Sequence, residues 1–109
     1  MTIQLVQGDT GPQLQFAITE TTDGTAVDLT GATVTLHFRA KGTTTVLFSR
    51  AATISLANAP LGIAILQFNN GDLNIAPGEY EGEVEVVLAG GLRQTVYEVL
   101  EFELREDFA

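Results

Sequence analysis

Along Tyr80-Glu81-Gly82-Glu83-Val84-Glu85-Val86-Val87-Leu88 the side chains alternate in character. Tyr80, Val84, Val86 and Leu88 share one parity, and Glu79, Glu81, Glu83 and Glu85 share the other. A period of two puts one set on each face of a β-strand and fits no helical stripe. Gly82 stands in the inward set, which predicts a bulge or the close packing of another element. Ala89-Gly90-Gly91 follows as a hairpin signal, so a strand from about Leu92 to Leu104 is expected antiparallel beside the first. That returning strand changes phase: Leu100, Phe102 and Leu104 share parity with Val96 and Glu98, while Tyr97 and Val99 take the other. An irregularity near Glu98 or Val99 is therefore expected.

The same period runs outward through the chain. Leu14, Phe16 and Ile18 alternate with polar neighbours, and Val34, Leu36 and Phe38 alternate with Thr33, Thr35, His37 and Arg39. Thr22-Asp23-Gly24, Thr30-Gly31, Lys41-Gly42-Thr43 and Asn69-Asn70-Gly71-Asp72 punctuate these runs as turns. Val46-Leu47-Phe48 and Ile54-Ser55-Leu56 read as two short β-prone pieces on either side of Arg50-Ala51-Ala52, and Ile63 to Phe68 as a further strand. Leu73 to Pro77 reads as a connector. Phe16, Phe38, Phe68, Tyr80 and Phe102 fall in inward phases, which leaves Tyr97 and Phe108 as the freer rings. No segment carries a capped helical stripe of useful length. The expectation is an all-β, immunoglobulin-like antiparallel β-sandwich of about seven to nine strands, with residues 1–109 forming one domain.

Fourteen acidic residues against five basic ones give a formal charge of -9, which opposes binding to nucleic-acid phosphates and anionic lipid. Acidity of this kind also serves solubility alone. Cysteine is absent, so disulfides and thiolate metal sites are excluded, and no stretch has the length and apolarity of a membrane span or an export signal. The only histidine, His37, lies in an outward strand phase and offers a nucleophile little help. The only lysine, Lys41, lacks the glycine spacing of a phosphate loop. Glu79, Glu81, Glu83 and Glu85 stand roughly 7 Å apart along one face by strand geometry, and Glu101 and Glu103 are placed to face them. Like charges on adjacent strands are costly unless water, Arg93 or Arg105, a cation or a basic partner screens them. Two such carboxylates suit glycoside hydrolysis, but that reaction also wants a cleft with aromatic platforms, and the chain has no tryptophan. Asp9, Asp23 and Asp72 are spread over separate loops and read as turn residues, not as a calcium site. No catalytic residue, metal site or cofactor is expected, nor a small-molecule substrate.

Three segments then gain meaning together: Gly8-Asp9-Thr10-Gly11-Pro12, Val27-Asp28-Leu29-Thr30-Gly31-Ala32-Thr33-Val34, and Pro77-Gly78-Glu79-Tyr80. In order and spacing they resemble the N-terminal domain family of the baseplate upper protein of tailed bacteriophages, over nearly the whole chain. Val27 to Val34 is the most specific piece, whereas Pro77 to Tyr80 is common among β-sandwiches. That resemblance implies an immunoglobulin-like sandwich that helps attach receptor-binding parts to the phage tail. Each segment also has a local reading, with Asp28 and Thr30 bonding nearby backbone and Gly31 taking positive φ. Family members often open a longer protein, while this chain ends at Ala109, so a stand-alone virion component or accessory subunit is expected.

The functional expectation is a structural virion protein of the tail or baseplate, made in the bacterial host's cytoplasm. It would contact other virion proteins, form a homo-oligomer in the particle, and engage no nucleic acid or membrane. A capsid decoration or head-fibre protein is one alternative; a host-receptor or carbohydrate-binding module, which would need exposed aromatics in a groove, is another. The candidate partner interface comprises Thr2, Ile3 and Gln4 on the N-terminal edge segment Thr2 to Gln7, together with Glu79, Glu81, Glu83 and Glu85.

Overall fold

The computed structural model describes residues 2–20, 23–95 and 99–106. Among these it has eight strands: β1 (Thr2–Val6), β2 (Gln13–Ala17), β3 (Thr33–Ala40), β4 (Val46–Ala51), β5 (Ile63–Gln67), β6 (Gly78–Val87), β7 (Arg93–Thr95) and β8 (Leu100–Arg105). A 3-10 turn covers Ala59–Leu61. No helix among the described residues is long and apolar enough to cross a membrane. One sheet has the order β1-β8-β6-β3-β4, with β7 also beside β6, and the other is the pair β2-β5. With β3, β6 and β7/β8 in one layer and β2 and β5 in the other, the arrangement is that of an immunoglobulin-like sandwich.

Alternation builds the core. Val34, Leu36 and Phe38 of β3, Tyr80, Val84 and Val86 of β6, and Phe102 and Leu104 of β8 are all buried, and Ala64, Leu66 and Phe68 join them in and beside β5. Phe38 is the hub: its ring stacks on Phe48 and Tyr80 at 4.8 and 5.2 Å and meets Phe102 at 5.0 Å and Phe68 edge-on at 6.5 Å. Phe16, expected inward, is only half-buried, because β2 is flanked on one side alone. The Tyr80 hydroxyl donates to the Ala76 carbonyl, the corner bond that immunoglobulin-like sandwiches make at the start of this strand.

The turn readings hold where the residues are described; Thr22 lies outside them. Asp28 accepts from the backbone and hydroxyl of Thr30 at 3.0 and 2.6 Å, and Asp23 does the same for Thr25 at 3.0 and 2.8 Å. These bonds hold both carboxyls below the usual range. Gly31 has φ +73°. At Gly82 the alternative of close packing holds: a Cβ there would lie 2.8 Å from both Leu36 Cδ1 and Phe102 Cε2.

Four readings need correction. The sheet is not wholly antiparallel, since β1 runs parallel to β8. That register sets Ile3 beside Phe102 and Leu5 beside Leu104, keeping both apolar side chains on the inner face. The returning strand is two strands, β7 and β8, and the irregularity expected near Glu98 or Val99 falls between them: the register against β6 slips by two residues from Glu85–Thr95 to Gly82–Leu100. Val96, Tyr97 and Glu98 lie outside the described residues, as does Phe108. Arg50 and Ala51 do not break a strand but end β4, while Ile54 to Leu56 forms none. There Ser55 carbonyl and hydroxyl oxygens accept the backbone N–H of Asn58, an alternative to the ladder, and Leu56 is 91% exposed. Asp72 is more than a turn residue. Its carboxylate takes two bonds from the Arg50 guanidinium, at 2.6 and 2.9 Å, and one from Asn69 N–H at 2.8 Å. Burial opposes its ionisation, but Arg50 and the Asn69 amide outweigh that and hold its pKa below the usual carboxylate range.

Candidate partner interface

The outer face of the large sheet collects the polar side chains that alternation excludes from the core. Registers across β1, β8, β6 and β3 arrange them in rows. One row runs Gln4, Glu103, Glu79; the next runs Thr2, Glu101, Glu81, Arg39; beyond β8, Glu83 lies opposite His37 and Glu85 opposite Thr35. Thus Thr2 and Gln4 come within two strands of Glu81 and Glu79, whereas Glu83 and Glu85, on the same face, lie further along β6 past the end of its pairing with β8. Ile3 does not join the set, because its side chain is half-buried against the core.

The chain's own cations answer much of the acidity. Arg39 Nε lies 3.3 Å from Glu81, Arg93 lies 2.9 Å from Glu85, and Lys41 reaches Glu101 at 3.7 Å. Arg93 was among the screening groups read from the sequence. Arg39 and Lys41 were not, although the outward phase of β3 and the hairpin that follows it point to them. Arg105 donates to the Glu106 carbonyl. Glu79, Glu83 and Glu103 form no ion pair with any described residue. Glu79 and Glu103 are directly opposed on neighbouring strands and both exposed, a like-charge juxtaposition that opposes pairing.

A shallow depression of about 290 Å³ lies on the same face, bounded by His37, Arg39, Glu81, Glu83, Glu85 and Arg93 with Val46 and Val99. It holds an alignment that the sequence reading did not anticipate. His37 Nδ1 is 2.7 Å from Ser49 Oγ, and His37 Nε2 is 3.8 Å from Glu85 Oε2. The β3–β4 register places Ser49 opposite His37, so the hairpin pairing was the signal available. The row superficially suits nucleophile activation, but 3.8 Å exceeds a hydrogen bond and Glu85 is engaged by Arg93. Ser49 sits inside a strand whose ladder occupies the nearby amides on the β3 side. Among the described residues, no group of three or more His, Asp or Glu side chains could hold a metal ion.

No family model matches the chain, and no curated protein matches it. The edges of the two sheets therefore become the informative features. β4 is blunted by a register shift between Phe38 and Arg39 that leaves Leu47 unpaired, and β5 is flanked through the Thr53–Ile65 bridge. β2 is entered through Pro12, which has no N–H to offer. β1 has none of these protections. It pairs on one side only, and Thr2 to Val6 contains no charge, proline or bulge. Gln7 N–H bonds to Arg105 O, so with a period of two the N–H and C=O of Gln4 point away from β8, toward the open side.

Proposed function

We propose that this protein is a structural component of a tailed-bacteriophage virion, of the tail or baseplate, and works by subunit contacts through the β1 edge. The observation that carries the reading is that edge: five residues paired on one flank and unprotected on the other. Strand addition needs only regular backbone donors and acceptors, which such an edge presents without any specialised side chain. The phage setting comes from the resemblance of Gly8–Pro12 and Val27–Val34 to the baseplate upper protein family, and the structure gives those segments folding roles in turns.

Antibody raised against the purified protein and applied to particles of the phage encoding it tests the reading. Labelling at the tail end supports it. Labelling over the capsid surface would move the protein to the decoration class, and unlabelled, fully assembled virions would overturn a structural role altogether.

A further inference from the structure

The β1 edge differs from an ordinary open edge in what lies behind it. Moving inward from Gln4, the outer face presents Glu103 and then Glu79, two opposed carboxylates that form no ion pair with any described residue. On the inner face of the same edge, Ile3 is only half-buried although it packs against the core. An added strand would place a residue opposite Gln4 two strand spacings from Glu103, roughly 10 Å between backbones. The long stem of lysine or arginine can lie over Gln4 and bring its charge toward that carboxylate. The next residue along the added strand would point inward and cover Ile3.

We propose that the β1 edge takes up an extended segment of a partner protein that alternates basic with apolar side chains, its basic residue meeting the Glu103–Glu79 row and its apolar residues extending the Ile3–Leu5 layer. This rests on β1 being the assembly edge, and it adds the chemistry of the partner. Charge argues against a second copy as the occupant: the chain's formal charge is -9, and Thr2 to Val6 brings no cation to the row. A lysine reaching over Gln4 toward Glu103, by contrast, relieves part of an existing repulsion.

The test uses the full chain and three capped heptapeptides in which valine alternates with lysine, glutamine or glutamate, with binding followed by calorimetry up to millimolar peptide. Two variants separate the backbone from the charge. Gln4→Pro removes the outward N–H without touching the β8 ladder, a position at which an edge strand tolerates proline. The pair Glu79→Gln and Glu103→Gln removes the carboxylates and leaves the strand intact. Circular dichroism and melting establish that each variant is folded before binding is read.

The expected result is that the lysine peptide binds about three- to tenfold more tightly than the glutamine peptide. The glutamate peptide should be weaker still. That preference should vanish in the Glu79→Gln, Glu103→Gln protein, and all binding should vanish in a folded Gln4→Pro protein. Equal binding of the lysine and glutamine peptides, lost with Gln4→Pro, would overturn the basic partner while leaving the assembly edge standing. Lysine-peptide binding that survives Gln4→Pro would be surface attraction without strand addition and would overturn the proposal. Failure of every peptide to bind would overturn the edge itself.

Discussion

Gly62 and Gly24 offer a matched pair for testing how this fold tolerates side chains. Both have left-handed backbones, at φ +73° and +74°. An alanine at either site incurs the same left-handed cost, about 1 kcal/mol. Their surroundings differ. A Cβ on Gly24 would meet nothing within 4 Å, whereas on Gly62 it would lie 2.5 Å from Ile18 O, 3.0 Å from Val27 O and 3.3 Å from Val27 N. Those are backbone atoms. Gly62 O also accepts Ile18 N–H at 2.8 Å and Val27 N–H bonds Ile18 O at 2.9 Å, so relief requires moving bonded chain and not rotating a side chain. Overpacking a rigid site adds about 1–3 kcal/mol, which puts Gly62→Ala near 3 kcal/mol against about 1 for Gly24→Ala. For a domain of this size the difference amounts to a melting temperature about 5–15 °C lower. Urea denaturation and thermal melts of both variants provide the check. Equal losses would refute the claim that the Ile18–Gly62–Val27 approach is a rigid joint.

Arg50→Ala is expected to cost about 2–3 kcal/mol at neutral pH, because the nearly buried Asp72 carboxylate would lose two of its bonds. Asp72 has a folded pKa below its unfolded value, so the pair's contribution is complete above about pH 4 and fades as pH falls through the folded value. Urea midpoints should accordingly show the variant and the parent converging in acid, and a gap that persists unchanged at pH 2 would contradict this. Gly82→Ala should destabilise by about 1–2 kcal/mol, since Leu36 can swing aside but the Phe102 ring is held against Phe38; calorimetric melting measures it. NMR pH titration should find Asp28 and Asp23 below the ordinary carboxylate range. Thr30→Val should raise Asp28 more than Thr25→Val raises Asp23, because the hydroxyl is the larger influence at Asp28 and the amide at Asp23. The reverse order would mean the two turns are built differently.

Much of the architecture was legible because alternation is a local property. The inward sets Val34–Leu36–Phe38 and Tyr80–Val84–Val86, the glycine under Leu36 and Phe102, and the Asp28–Thr30 turn each depend on residues a few positions apart, or on a side-chain volume visible in the chain. The misreadings share another character. Arg50 and Ala51 read as lying between two β-prone pieces until β3 pairs with them; Ile54 to Leu56 reads as a β-prone piece until Ser55 diverts the local hydrogen bonds.

The candidate interface divides the same way. That Glu79, Glu81, Glu83 and Glu85 share a face follows from a period of two, and the sequence determined it alone. Which of them are answered by cations depends on register: β3 carries Arg39 to Glu81, the following turn carries Lys41 to Glu101, and Glu79 is left facing Glu103. That Thr2 to Val6 forms a strand was readable from its residues. Its place at an edge was expected from the sequence as well, but its neighbour β8 and their parallel direction were decided only in three dimensions, because strand order depends on long-range burial of Ile3 and Leu5 beside Phe102 and Leu104, and no local pattern encodes a neighbour nearly a hundred residues away.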